Sequence, residues 1–178
     1  SQRGSCISAQ SGKVVIKGNA IFRNNKARTY EGGAVTGYYG ADISFEDCTF
    51  EGNTANWHGG AVYVTTDDAS INGYSKLTIN GNPTFNNNYC SESGGAVSIN
   101  SSSKSSINGN PTFNGNYCGQ SGGAVTIMSS SQFVIDGEAK FQKNYTTGTI
   151  NDGRYEGGGA LGIMGQANVT INKGTFDG

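Results

Sequence analysis

The sequence predicts an all-β fold, a parallel β-helix of about six coils with three short strands in each, and three recurring signatures carry that expectation. The first is a glycine pair followed by an apolar run: Gly32 and Gly33, Gly59 and Gly60, Gly94 and Gly95, Gly122 and Gly123, Gly158 and Gly159. The second is a Phe three residues ahead of an Asn, at Phe22/Asn25, Phe50/Asn53, Phe85/Asn88, Phe113/Asn116 and Phe141/Asn144, with Phe176 opening a further copy. The third is an apolar-x-apolar pair before each Phe, as in Val14/Ile16, Ile43/Phe45, Leu77/Ile79, Phe133/Ile135 and Val169/Ile171, with Ile107 standing behind a Ser. Ile79, Ile107 and Ile135 lie 28 residues apart, and a repeat of that length means a stacked array rather than a single packed core. Each signature is four to six residues of alternating, β-branched character, too short for a helix.

Taken in order, the first copy has 6–9 in place of a glycine-pair strand, then 13–17 and 20–22. The second and third copies follow from Gly32 and Gly59, the fourth and fifth from Gly94 and Gly122 are the most regular, and Gly158 starts the last. Two intervals are long: Gly60 to Ile79 is 19 residues where the other copies have 12, and Asn144 to Gly159 is 15 where most have 7. Loops are therefore expected to be inserted near 65–74 and 146–155. Alternation turns Val35, Val62, Val97, Val125 and Leu161 inward, together with Ile99, Ile127 and Ile163, and leaves Thr36, Tyr63, Ser98 and Thr126 outward. The repeated Phe form an inward stack and the repeated Asn a hydrogen-bonded ladder at a corner, where an Asn also tolerates the left-handed conformation. The paired Gly serve another corner, where a Cβ would clash.

Composition agrees with a solenoid. With 29 Gly and 14% charged residues in 178, the chain cannot fill a compact core, yet a net charge of −1 and 10% aromatics are unlike a disordered one. The absence of a basic surplus argues against nucleic acid as a partner. No apolar run approaches the length of a membrane span, and the whole of 1–178 reads as one β-helix, a fragment of a larger protein. Four Cys without a C-x-x-C pair argue against zinc, and neither metal nor cofactor is expected. Cys90 and Cys118 occupy one repeat position, one strand spacing of about 4.8 Å apart. A disulfide is within reach there, and two stacked free thiols are the equal alternative.

The alternation of Phe50/Asn53 with Gly59-Gly60-Ala61-Val62, repeated at Phe85/Asn88 with Gly94 to Val97 and at Phe113/Asn116 with Gly122 to Val125, resembles the repeats of the chlamydial polymorphic membrane proteins. The resemblance covers nearly the whole chain. It implies the passenger part of an autotransporter-type surface protein, a right-handed parallel β-helix used in attachment to host cells. Its partners would be a host-cell surface protein or glycan, or further copies of itself.

Candidate chemistry is sparse. Parallel β-helices also carry polysaccharide-cleaving enzymes, which need carboxylates set a fixed distance apart across a groove. Asp67 and Asp68 are an adjacent acid pair in an inserted loop, while Asp42, Glu46 and Asp47 have no matching acids in the next copy. His58 is the only His, so any Ser-His or Cys-His mechanism would depend on it, and its place beside Trp57 and the glycine pair suits a structural role. No enzyme is expected. The candidate ligand-binding residues are Asp67, Asp68, Tyr74, Trp57, Arg154 and Tyr155, in or beside the loops, with types favoured at binding hot spots. Tyr89, Tyr117 and Tyr145 each follow a ladder Asn and form a candidate exposed stack that either holds a sugar ring or packs on its own corner. A purely structural stalk is the third reading.

Overall fold

A computed structural model describes residues 6–67, 73–148 and 157–178 of the chain. The first pass round the solenoid lays down β1 (Ile7–Gln10), β2 (Lys13–Ile16), β3 (Ile21–Arg23) and β4 (Lys26–Ala27). The second holds β5 (Val35–Tyr38), β6 (Asp42–Glu46), β7 (Thr49–Glu51) and β8 (Thr54–Ala55). Then come β9 (Val62–Thr65), β10 (Lys76–Gly81), β11 (Thr84–Asn86) and β12 (Tyr89–Cys90), followed by β13 (Val97–Asn100), β14 (Lys104–Gly109), β15 (Thr112–Asn114) and β16 (Tyr117–Cys118). The last passes hold β17 (Val125–Ile127), β18 (Gln132–Gln142), β19 (Tyr145–Thr146), β20 (Leu161–Ile163) and β21 (Asn168–Asp177).

Each strand pairs in parallel with its equivalent in the next pass. One sheet runs β1-β5-β9-β13-β17-β20, a second joins the β2 and β3 columns through β18, and a third runs β4-β8-β12-β16-β19. Like residues stack on like, Ile79 on Ile107 and Phe85 on Phe113. This is the all-β parallel helix that the repeat predicts. It differs in having a fourth strand column, the two-residue strands that follow each ladder Asn, which are too short to leave a periodic signal.

The core is a set of columns. Phe50, Phe85, Phe113 and Phe141 are at most 1% exposed, their rings stacked 4.7–5.0 Å apart within 8° of parallel. Beside them the Asn ladder closes every bond an amide can make. Asn53 Nδ2 donates to Asn88 Oδ1 at 2.9 Å and to Phe22 O at 2.9 Å, while Asn53 Oδ1 accepts from the backbone N–H and Nδ2 of Asn25. The same four bonds recur at Asn88 and Asn116, and Asn144 makes three of them. The left-handed backbone is not on the ladder Asn, as the sequence suggested, but on the residue before it: Asn24, Gly52, Asn87, Gly115 and Lys143 have φ of 52–63°. The ladder Asn is thereby free to aim its amide along the stack.

The glycine pairs are required twice over. A Cβ on Gly94 would lie 2.3 Å from Val97 O in its own turn, whereas a Cβ on Gly95 would lie 2.1 Å from Gly123 O and 2.5 Å from Tyr117 O in the next. The expected outward column is corrected by the same corner. Thr36, Ser98 and Thr126 are fully buried and Tyr63 is 5% exposed, because the peptide entering each glycine pair folds over that face. Thr36 Oγ1 donates to Glu31 O at 3.1 Å and Thr126 Oγ1 to Ser121 O at 2.6 Å. Ile163 stacks on Ile127 as predicted but is 52% exposed, since β20 is the edge strand of its sheet.

Candidate functional site

The flank built from the two-residue strands presents the most developed surface among the described residues. With two residues per strand, one points in and the next out. Ala27, Ala55, Cys90 and Cys118 form the inward cluster, so Lys26, Thr54, Tyr89, Tyr117 and Tyr145 form the outward column. The three tyrosines stack, Tyr89 on Tyr117 at 4.6 Å with a 31° tilt and Tyr117 on Tyr145 at 5.1 Å and 5°. Burial, and then the neighbouring phenols, push the central Tyr117 hydroxyl above its ordinary range. Below Tyr89 the column continues with the much smaller Thr54, and a groove of about 450 Å³ opens there, lined by Lys26, Ala27, Arg28, Thr54, Ala55, Asn56, Tyr89 and Ser91.

Behind this flank, Cys90 and Cys118 are in register and both are free thiols rather than a disulfide. Cys118 Sγ donates to Ser121 O at 3.1 Å, which occupies the thiol proton that a bridge would lack. Burial raises the Cys90 pKa, whereas its hydrogen bond lowers that of Cys118.

The neighbouring corner gathers residues that the sequence keeps far apart. His58 bridges to Ser93 in the next pass, its Nε2 lies 3.4 Å from Glu92 Oε2, and its ring lies over Tyr63 at 5.9 Å. Burial lowers the His58 pKa to about 4, and burial followed by the charge of Glu31 raises that of Glu92. The contact with Glu92 alone would favour imidazolium. Burial outweighs that contact. His58 Nδ1 is buried without a hydrogen-bond partner, and no Ser, Thr or Cys side chain among the described residues bonds to the ring. A neutral His without a nucleophile does not make a Ser-His or Cys-His pair.

The residues singled out from the sequence do not converge. Trp57 is 41% exposed and packs edge-on against Tyr30 at 5.1 Å, before β9. Tyr74 is 45% exposed beyond the far end of that strand, with Lys104 Nζ 4.5 Å from its ring centroid. Asp67 is exposed and accepts a hydrogen bond from Thr65 Oγ1 at 2.7 Å. Asp68, Arg154 and Tyr155 lie outside the described residues, as do 68–72 of the first inserted loop and 149–155 of the second. Among the described residues no group of three His, Cys, Asp or Glu is placed to hold a metal ion, and no helix is long and apolar enough to cross a membrane.

Sequence reasoning missed the groove, although its signal is present: the position after each ladder Asn reads Lys, Thr, Tyr, Tyr, Tyr, so the aromatic column stops between Thr54 and Tyr89. It missed the pairing of His58 with Glu92 because only the exact strand register brings them together.

No curated protein and no solved structure matches the chain. Residues 47–65, which hold Phe50, Asn53 and the pair Gly59 and Gly60, match the Chlamydia polymorphic membrane protein repeat. Over those 19 residues the chain is similar to that repeat, and it forms a parallel β-helix whose other turns are built on the same two signatures.

Proposed function

We propose that this chain is the passenger-type solenoid of a cell-surface adhesin, which attaches to a host-cell protein or glycan through its lateral flank. The single observation that carries the reading is the Tyr89–Tyr117–Tyr145 stack, which ends in an open groove. A Tyr side chain offers a large amphipathic contact area and is enriched at binding hot spots. The surface location suggested by the repeat gives such a flank access to extracellular partners. The inserted loops near 65–74 and 146–155 belong to the same proposal as further contact points.

A polysaccharide-cleaving enzyme is less well supported. Its acids would have to line a substrate groove, whereas Glu31 is 7% exposed at a corner and, among the described residues, no carboxylate lines the groove beside Tyr89. The stalk reading requires that the flank be dispensable. The test is saturable binding of the labelled protein to epithelial cells, compared with a Tyr145→Ala/Tyr117→Ala variant and one with residues 68–72 replaced by a short Gly-Ser turn. Binding reduced at least about tenfold by the tyrosine variant locates attachment on this flank. Binding lost only in the loop variant moves the site to the loop, and no binding by the folded protein leaves the stalk.

A further inference from the structure

We propose that the groove beneath Tyr89 is a binding site for an acidic glycan, with one sugar ring laid on the open face of Tyr89 and its carboxylate or sulfate held by Lys26 and Arg28. The proposal names a ligand class for the attachment flank and rests on that reading.

In a stacked column each aromatic ring covers the faces of its neighbours, so a ligand can stack only on an end. Tyr117 is covered on both sides, whereas Tyr89 has a ring partner on the Tyr117 side alone among the described residues. Its other face looks along the column towards Thr54, whose short side chain leaves the space unfilled. That space, about 450 Å³, is within the roughly 300–1,000 Å³ of small-ligand sites.

The lining fits a sugar and a negative charge. A pyranose has an apolar C–H face that packs on an aromatic ring and hydroxyls round its rim that bond to polar groups. Ser91, Asn56 and Thr54 supply such groups here. Lys26 and Arg28 are both exposed, neither has an ion-pair partner among the described residues, and no carboxylate lines the groove. The nearest acid of the adjoining strand column, Glu51, is already held by Arg23 at 2.8 Å. An Arg guanidinium presents a planar fork suited to carboxylate and similar oxyanions. A ring laid on Tyr89 sits at the level of Thr54, one strand spacing of about 4.8 Å from Lys26, so an acidic substituent on it is within reach of that side chain.

The test is calorimetric titration of the purified chain with size-matched oligosaccharides of three kinds: sulfated, uronate-bearing without sulfate, and neutral. Binding of one or both acidic series, at least about tenfold tighter than the neutral one and weakened by salt, is expected, and the two acidic arms separate sulfate from carboxylate recognition. Thr54→Tyr extends the aromatic column by one ring, closes the face of Tyr89 and removes no charge, so it should abolish binding while the thermal midpoint stays at or above the wild-type value. Arg28→Gln, at an exposed position, should weaken binding and reduce its salt dependence. Equal binding of the neutral series, or wild-type affinity in both T54Y and R28Q, overturns the proposal. The two readings fail separately: a chain that binds cells but no acidic oligosaccharide is an adhesin with a different ligand, and one that binds the oligosaccharide but no cell has this groove without the adhesive role.

Discussion

At the scale of single residues, the buried amides and the buried imidazole make the clearest predictions. Asn88 is fully buried, and its Oδ1 accepts from both the backbone N–H and Nδ2 of Asn53. Asn88→Ala orphans both donors, with an expected loss of roughly 2–6 kcal/mol at 1–3 kcal/mol for each buried unsatisfied group. Asn108→Ala, which breaks an exposed Asn108–Asn80 contact of 2.9 Å, should cost no more than about 0.5 kcal/mol. Urea unfolding of the two variants checks the contrast. His58 predicts an acid effect. Its folded pKa of about 4 lies below the ordinary 6.5, so as pH falls below 6.5 the unfolded chain takes up the proton first. Stability is lost progressively from about pH 6.5 to 4 and levels off below, by at most about 3 kcal/mol at 1.36 kcal/mol per pKa unit. Glu92 acts in the opposite sense, since a carboxyl raised in the folded state gains stability as pH falls through its folded value. His58→Gln should therefore remove the acid loss. An unchanged slope between pH 7 and 4 would mean that the imidazole titrates alike in the folded and unfolded chain, and a steeper acid loss in the variant that Glu92 holds it charged.

At the scale of elements, the corners rather than the strands decide which turn can follow which. The second glycine of the first four pairs, Gly33, Gly60, Gly95 and Gly123, leaves no room for a side chain, because its Cβ would sit on the backbone of the adjacent turn. Gly95→Ala is expected to destabilise at or above the roughly 1–3 kcal/mol of an overpacked core. Gly157→Ala, with nothing within 4 Å, is expected to be silent, and paired thermal melts decide between them. These corners also set what was legible. Period-two alternation announced the inward Val, Ile and Phe columns, because burial of one strand face is a local consequence of sequence. It misassigned Thr36, Ser98 and Thr126, because alternation says which face a residue takes and not whether another segment covers that face. Two-residue strands such as β12 carry no period at all, and so the column that bears the tyrosines went unseen as a strand. The groove below it depends on a missing ring, which a search for present motifs passes over.

At the scale of the whole molecule, the ladder of equivalent strands makes the protein nearly one-dimensional, each turn resting only on its neighbours. Ser103 and Ser131 hold equivalent places, each backbone N–H bonded to the carbonyl three residues earlier, and Gln132 stacks directly on Lys104. Deleting residues 104–131 joins Ser103 to Gln132 and removes one 28-residue unit with every column kept in register: Phe141 would come down on Phe85, Asn144 on Asn88 and Tyr145 on Tyr89. The shortened chain is expected to keep its β circular-dichroism signature and a cooperative melt. Deleting half that length, residues 104–117, sets corner residues against strands and should leave no cooperative transition. The groove lies at the β8–β12 step, outside the excised unit, so acidic-glycan affinity should stay within roughly twofold of the full chain. A folded short chain that had lost that affinity would place the ligand along the tyrosine column instead of at its open end. An unfolded one would show that the turns are not independent, and that the long β18–β21 pairing, which the deletion keeps, does not hold the array together by itself.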